Sequence, residues 1–212
     1  MKIERLQAFS DGMYAILITI LVLEFVVPEY QVGHLLDGML NQWPIFFAYI
    51  LSYVYVGTLW LFHHDFFLSL KQIDRKLNII NMVSLFTVTL INYPTLLVAA
   101  TLKRGNINDL RVAFMTYAFV AMLISLTYFW LYSYAASHSE LAVKGDMNKE
   151  LYSRIKYDPW RSVAVYGLAI GLMWLSAWLG AAMVVAGIIW HFIAYMRLGR
   201  NLHELHAPEH KK

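Results

Sequence analysis

Apolar residues run in six blocks along the chain, at about 8–27, 43–62, 77–102, 110–136, 162–178 and 181–196, and the segments between them gather nearly all of the Asp, Glu, Lys and Arg residues. Blocks of this length suit a bilayer. A helix rises about 1.5 Å per residue, so a hydrocarbon core about 30 Å thick takes about 20 residues. The last two blocks adjoin, because Ser162 to Met196 contains no Asp, Glu, Lys or Arg. One straight helix of that length would run about 52 Å, so a break near Gly180 and a tight hairpin are expected. The first block continues past the apolar core of a secretory leader, lacks a small-residue cleavage site and opens with Ser10-Asp11-Gly12, so it reads as a span.

Composition agrees with this pattern. Of 212 residues, 59% are hydrophobic and only 15% charged, against roughly 25% charged in soluble domains, and the mean hydropathy is +0.52. The predicted fold class is an all-α membrane protein with six transmembrane helices in a single domain, residues 1–212. The absence of Cys excludes disulfides, thiolate metal sites and Cys nucleophiles. The net charge of +3 is spread between apolar blocks, which does not make a nucleic-acid footprint. No metal site or cofactor is expected.

Basic residues orient the spans. With both termini cytoplasmic, the inner segments hold Lys2, Arg5, Lys71, Arg75, Lys76, Lys144, Lys149, Arg154, Lys156, Arg161, Arg197, Arg200, Lys211 and Lys212. Only Lys103, Arg104 and Arg111 fall outside, and the loop from Pro28 to Gln42 has none, as the positive-inside rule requires. Five spans would instead strand the basic C-terminal residues outside. Trp43, Trp60, Tyr93, Tyr128, Trp130, Tyr132, Trp160 and Trp178 lie near block ends, where aromatic rings anchor at headgroup level. The longest polar connection is 137–161, and the tail 200–212 carries three His, a pattern that fits a frayed end better than a metal site.

Polar groups within the spans are costly and usually mark a pathway or a buried network. Three sets qualify: Arg5 with Ser10-Asp11 on span 1, Trp60-Leu61-Phe62-His63-His64-Asp65 closing span 2, and Asn78, Asn81 and Asn92 on span 3. All but Asn92 fall on the cytoplasmic side. On a wheel of about 100° per residue, Ile16, Thr19, Ile20 and Leu23 share one face of span 1, and Asp11 sits about 140° from Ile16. There it can accept from a His of span 2 or an Asn of span 3. The plainer alternatives are that Ser10 or Asp11 caps a helix beginning at Gly12, that His63 and His64 are interfacial, and that the aliphatic stripe faces lipid.

Arg5-x-x-x-Phe9-Ser10-Asp11-Gly12, continuing as Ala15-Ile16-x-x-Thr19-x-Leu21-Val22-Leu23, resembles the first span of the transmembrane protein 175 family of endolysosomal and prokaryotic potassium channels. Trp60-x-x-His63-His64, Asp74, Asn81 and Pro94 extend the resemblance over roughly residues 1–100, with Thr95 standing where relatives often have Phe. Animal members carry two six-span repeats and pair as dimers. The resemblance therefore implies a homotetramer of this single-repeat chain in a prokaryotic inner membrane, with helix 1 lining a central pore. It implies a pore lined by Ile16, Thr19, Ile20 and Leu23, with Thr19 offering oxygen to the ion. It also implies a structural polar network of Arg5, Ser10, Asp11, His63 and Asn81. Potassium ions are the expected cargo, with other monovalent cations weaker. No Thr-Val-Gly-Tyr-Gly filter is present, so a ring of Ile side chains would form a dry neck instead. The wheel puts Arg5 at about −20°, on the pore side. Either the helix start bends or Arg5 lines the cytoplasmic mouth.

Other classes fit less well. A proton-coupled transporter or proton-permeable channel would use Asp11 and His63 as a relay, yet the mid-span positions carry no acid. A haem protein needs facing His pairs, and His191 stands alone in its span. A hydrolase could draw on Ser10, Asp11 and His63, for which a scaffold role is the simpler account.

Overall fold

The computed structural model describes residues 3–141 and 157–206, with side chains as far as residue 197. Helix α1 (Ile3–Ile20) tightens into a 3₁₀ turn, Leu21–Glu24. A short α2 (Leu35–Leu40) precedes α3 (Trp43–Leu68), α4 (Arg75–Thr89), α5 (Asn92–Arg104) and α6 (Ile107–Ser137). Helices α7 (Asp158–Leu175) and α8 (Ala177–His206) complete the bundle. Five stretches are long and apolar enough to cross a membrane: Ile3–Glu24, Trp43–Leu68, Arg75–Arg104, Ile107–Ser137 and Ala177–Arg197. Helix α7, with 18 residues and Asp158 and Arg161 in its first turn, falls outside that set, although it packs along both α6 and α8. Most of the loop 137–161 and the end of the tail lie outside the described residues.

Helix α1 begins at Ile3, so Ser10 and Asp11 sit within it and cap nothing. Helix α3 runs six residues past its expected end, because His63 and its neighbours turn onto other helices and not toward water. The third block is split. Pro94 has no N–H for the carbonyl of Leu90 four residues earlier, and the chain tightens there through Leu90 N–H to Thr87 O at 3.2 Å and Ile91 N–H to Val88 O at 3.1 Å. Helix α5 ends at Gly105, whose φ of 72° places it in the left-handed region that glycine enters without a Cβ clash.

The hairpin between α7 and α8 turns at Ser176, not at Gly180. Ser176 is extended, at φ −153° and ψ 126°, and its hydroxyl lies 3.5 Å from the Leu179 N–H, where it accepts. Gly180 has another task. A Cβ there would lie 1.9 Å from Met173 Cγ and 2.9 Å from the Ala169 carbonyl oxygen, so its bare backbone lets the two helices close. Tyr128 and Tyr132, expected as headgroup anchors, are buried in the core with Tyr14, Tyr55, Tyr117 and Tyr166, whereas Trp43, Tyr93, Trp130, Trp160 and Trp178 are exposed.

The connection between α3 and α4 is tied down by Asp74. Its carboxylate accepts from the Leu77 N–H at 2.7 Å, capping α4, and from the Tyr134 hydroxyl of α6. The Lys71 N–H bonds the Leu141 carbonyl at 2.9 Å, joining the same connection to the end of α6.

Gly180→Ala should lower stability by about 1–3 kcal/mol through overpacking. Gly171→Ala, where a Cβ meets nothing within 4 Å, should be neutral or gain about 0.5–1 kcal/mol of helix preference. Thermal unfolding in one detergent compares the two, and equal shifts would refute the close-approach role. For Asp74, burial raises the carboxyl pKa, but the hydrogen bonds from Tyr134 and Leu77 outweigh it and hold the net value below the ordinary carboxylate range. That stabilisation is complete above the unfolded pKa of about 3.9 and is lost as pH falls through the lower folded value. Asp74→Asn should therefore melt lower at pH 7 and show a smaller further loss on acidification than wild type.

Candidate functional site

The site is built on the two faces of α1. Leu6, Ser10, Tyr14, Leu17 and, in the following turn, Leu21 recur every three or four residues and are buried, which is the period of one helix face. This face packs on α3 and α4. Ser10, the small polar residue among them, donates to its own Leu6 carbonyl at 3.0 Å and accepts from Asn81 Nδ2 of α4 at 3.1 Å. Asn81 Oδ1 in turn accepts from His63 Nε2 of α3 at 2.7 Å. All three side chains are 0% exposed, so the chain His63, Asn81, Ser10 fastens three helices in an apolar interior. One turn on, the Tyr14 hydroxyl bonds Tyr128 of α6, and Tyr128 donates to the Leu59 carbonyl of α3 at 3.1 Å. His63 lies stacked on Phe67, with ring centroids 4.6 Å apart.

Asp11 is half-buried beside this chain. It accepts from Trp60 Nε1 at 2.8 Å, and His64 Nδ1 lies 3.8 Å from the same oxygen. Gln7 donates to that His64 nitrogen at 3.3 Å. The expected partners of Asp11 were a His of span 2 or an Asn of span 3. Its nearest donor is instead the indole of Trp60, while Asn81 meets Ser10. Arg5 is exposed and makes no hydrogen bond or ion pair among the described residues, so within one chain it stands apart from the network. Asn78 lies beside Asp74 at the start of α4, and Asn92 starts the helix after the Pro94 break. Asp65 accepts from the Tyr195 hydroxyl of α8 at 3.0 Å.

The opposite face carries Arg5, Phe9, Gly12, Ile16, Thr19, Ile20 and Leu23, all exposed. Ile16 is 54% and Leu23 74% exposed, large values for aliphatic side chains. The Thr19 hydroxyl donates to its own helix, at 2.9 Å from the Ala15 carbonyl and 3.0 Å from that of Ile16. Its proton is therefore committed and its lone pairs remain for an outside cation. Among the described residues no group of three or more His, Cys, Asp or Glu side chains is placed to hold a metal ion. His191 donates through Nδ1 to the Gly187 carbonyl at 2.9 Å and pairs through Nε2 with Ser162, so neither ring nitrogen is free for a haem iron.

Sequence reasoning missed the Tyr14–Tyr128 pair and the role of Trp60. Tyr14 carried a signal, since it shares the 3.6-residue period of Leu6, Ser10 and Leu17. Tyr128 carried none, because its partner is 114 residues away.

The chain is thus an α-helical, multi-pass membrane bundle that buries a Ser–Asn–His chain behind its first helix and leaves an apolar stripe on that helix's free side. The family described as endosomal/lysosomal potassium channel TMEM175 matches residues 5–91. A potassium channel of Streptomyces collinus is 30% identical over 174 residues, 82% of this chain and 83% of its own. A potassium channel of Chamaesiphon minutus is 31% identical over 190 residues, 86% and 90% of the two chains. The crystal structure of a lysosomal potassium-selective channel TMEM175 homolog from Chamaesiphon minutus superposes with a TM-score of 0.78 at 27% identity, covering 91% of this chain and 97% of that one. The human endosomal/lysosomal proton channel TMEM175 is 37% identical over 91 residues, 18% of its length. The chain belongs to the TMEM175 family.

Asn81→Ala should cost about 1–3 kcal/mol, because it strands both His63 and Ser10 in an apolar interior. Ser10→Ala removes only one end of the chain and should cost less, about 1 kcal/mol. Denaturation of the purified variants orders the two, and Ser10→Ala proving the more damaging would overturn Asn81 as the hub.

Proposed function

We propose that this chain is a potassium-preferring cation channel: a homotetramer of six-span subunits, residues 1–212 forming one channel domain, in a prokaryotic inner membrane with both termini cytoplasmic. The relatives named as potassium channels support this reading, and α7 supplies the sixth span. The observation that carries it is the exposed stripe of α1, opposite the face fastened to α3 and α4. Four copies set about a four-fold axis turn this stripe inward, and Ile16 makes the narrowest ring. Such a ring passes no hydrated ion when closed, and a modest widening admits a K⁺ that has shed part of its water. Thr19, with its proton held by the helix backbone, presents oxygen to the ion one turn away. The network of Ser10, Asp11, His63 and Asn81 is structural in this account, with Arg5 at the cytoplasmic mouth of the pore. Lipid covers the outside of the assembly.

A ring of aliphatic side chains imposes the cost of stripping water, and that cost falls when the ring becomes polar. Ile16→Asn should therefore raise current severalfold and bring the K⁺ over Na⁺ preference toward unity, whereas Thr19→Val should lower the preference while leaving the neck closed to larger currents. Macroscopic currents under K⁺ and Na⁺ gradients decide the matter. An unchanged reversal potential with reduced expression for Ile16→Asn would refute the pore assignment. Native mass measurement of the conducting species should give four chains, and a monomer or dimer would sink the four-fold arrangement.

A further inference from the structure

We propose that a pocket at the far end of the bundle from His63 binds the acyl chain of a phospholipid whose headgroup carries both a phosphate and a primary ammonium, as phosphatidylethanolamine does. The pocket, about 270 Å³, opens between the end of α1, the start of α3 and the last turns of α5. Its walls include Leu21, Ile45, Ala48, Leu96, Ala99 and Ala100, and the charged side chains on its lining are Glu24 and Lys103. On α5, Leu96, Ala99, Ala100 and Lys103 stand at i, i+3, i+4 and i+7, one face of a helix, with Leu96 about 10 Å below Lys103. Lys103 therefore marks the mouth, the exposed Ala100 the wall just below it, and Leu96 the deep end. Exposed Trp43 begins α3 at the same end, the level at which indoles meet headgroups.

A single water needs only about 10–15 Å³, so water filling this volume would form a cluster against walls that offer few hydrogen bonds. Hydrocarbon fills it at no such cost. The mouth then chooses the headgroup. Glu24 and Lys103 are both exposed, and among the described residues no ion pair joins them, so each charge is open to a ligand. A phosphate accepts from Lys103 while a primary ammonium donates to Glu24. Choline has no N–H to donate, and a glycerol headgroup satisfies Lys103 through its phosphate but brings Glu24 no cation. The inference does not depend on the route the ions take.

The test is native mass spectrometry of the purified, delipidated protein titrated with phosphatidylethanolamine, phosphatidylcholine or phosphatidylglycerol of identical acyl chains. Phosphatidylethanolamine should be retained best. Lys103→Ala should lower its retention about fivefold, the effect of one basic residue at a lipid phosphate, and Glu24→Gln should abolish its advantage over phosphatidylglycerol. Ala100→Trp should block all three lipids by placing an indole across the pocket just below its mouth. Far-UV circular dichroism and elution volume report whether each variant is folded. Equal retention of the three lipids by wild type, or lipid binding that survives Ala100→Trp in a folded protein, overturns the proposal. A change in subunit number caused by Ala100→Trp, with lipid retention unaltered, would make the pocket a contact between chains and overturn it equally.

Discussion

Asn81 is an amide buried among aliphatic and aromatic side chains on the fourth helix, and in such surroundings both of its polar atoms require partners. It obtains them from two other helices, His63 of α3 and Ser10 of α1. The bonds are directional, so they do more than hold the helices together. Dispersion between apolar helix faces tolerates rotation of a helix by tens of degrees. A hydroxyl 3.1 Å from an amide nitrogen does not, and in lipid no water waits to replace a lost partner. The rotation of α1 about its axis is thereby set by a small residue at its centre.

That rotation decides what the free side of α1 presents. Ser10, Tyr14 and Leu17 lie about 100–160° around the helix from Ile16, so fastening the one set aims the other away from the bundle. Tyr14 repeats the constraint one turn along through Tyr128. The Trp60 indole, bonded to Asp11, closes the flank, so α1 is held from two directions and exposed in the third. The buried polar cluster and the exposed apolar stripe are then two consequences of one helix orientation.

Much of this was legible along the chain. Five of the six blocks locate stretches long and apolar enough to cross a membrane, because a bilayer leaves helix length little freedom, and the wheel separates the faces of α1 from spacing alone. The errors share a cause. Helix length alone puts a hairpin near Gly180, but glycine also permits close approach, and only the position of Met173 distinguishes the two. Tyr128 and Tyr132 were read as anchors from their nearness to block ends, although the helix continues beyond them and α7 and α8 cover its sides. The third block reads as one span, and the break that Pro94 makes in it, at Leu90 and Ile91, follows from the carbonyl four residues earlier. Pairings across long sequence separations, such as Ser10 with Asn81, have no local signature, so the sequence showed the candidates and not their matching.

The charge preference of such a pore follows from hydrogen-bond direction before any dimension enters. On the four-fold reading, the stripe beyond Arg5 offers the ion only carbon surface and the Thr19 hydroxyls. A hydroxyl can present a proton to an anion or lone pairs to a cation, and which it does depends on where its proton already is. Here the proton is drawn back toward the Ala15 and Ile16 carbonyls of the same helix. Each Thr19 oxygen therefore faces outward as an acceptor, four of them would form a ring of one polarity, and an anion entering it would meet lone pairs with no donor to replace its lost water. On that reading cations would be favoured by the Thr19 ring, while the choice among cations would fall to the Ile16 ring, where the cost of dehydration scales with how tightly each ion holds its water. Separating the two tasks onto adjacent turns would let a pore without a carbonyl filter discriminate with one hydroxyl and one aliphatic side chain per chain.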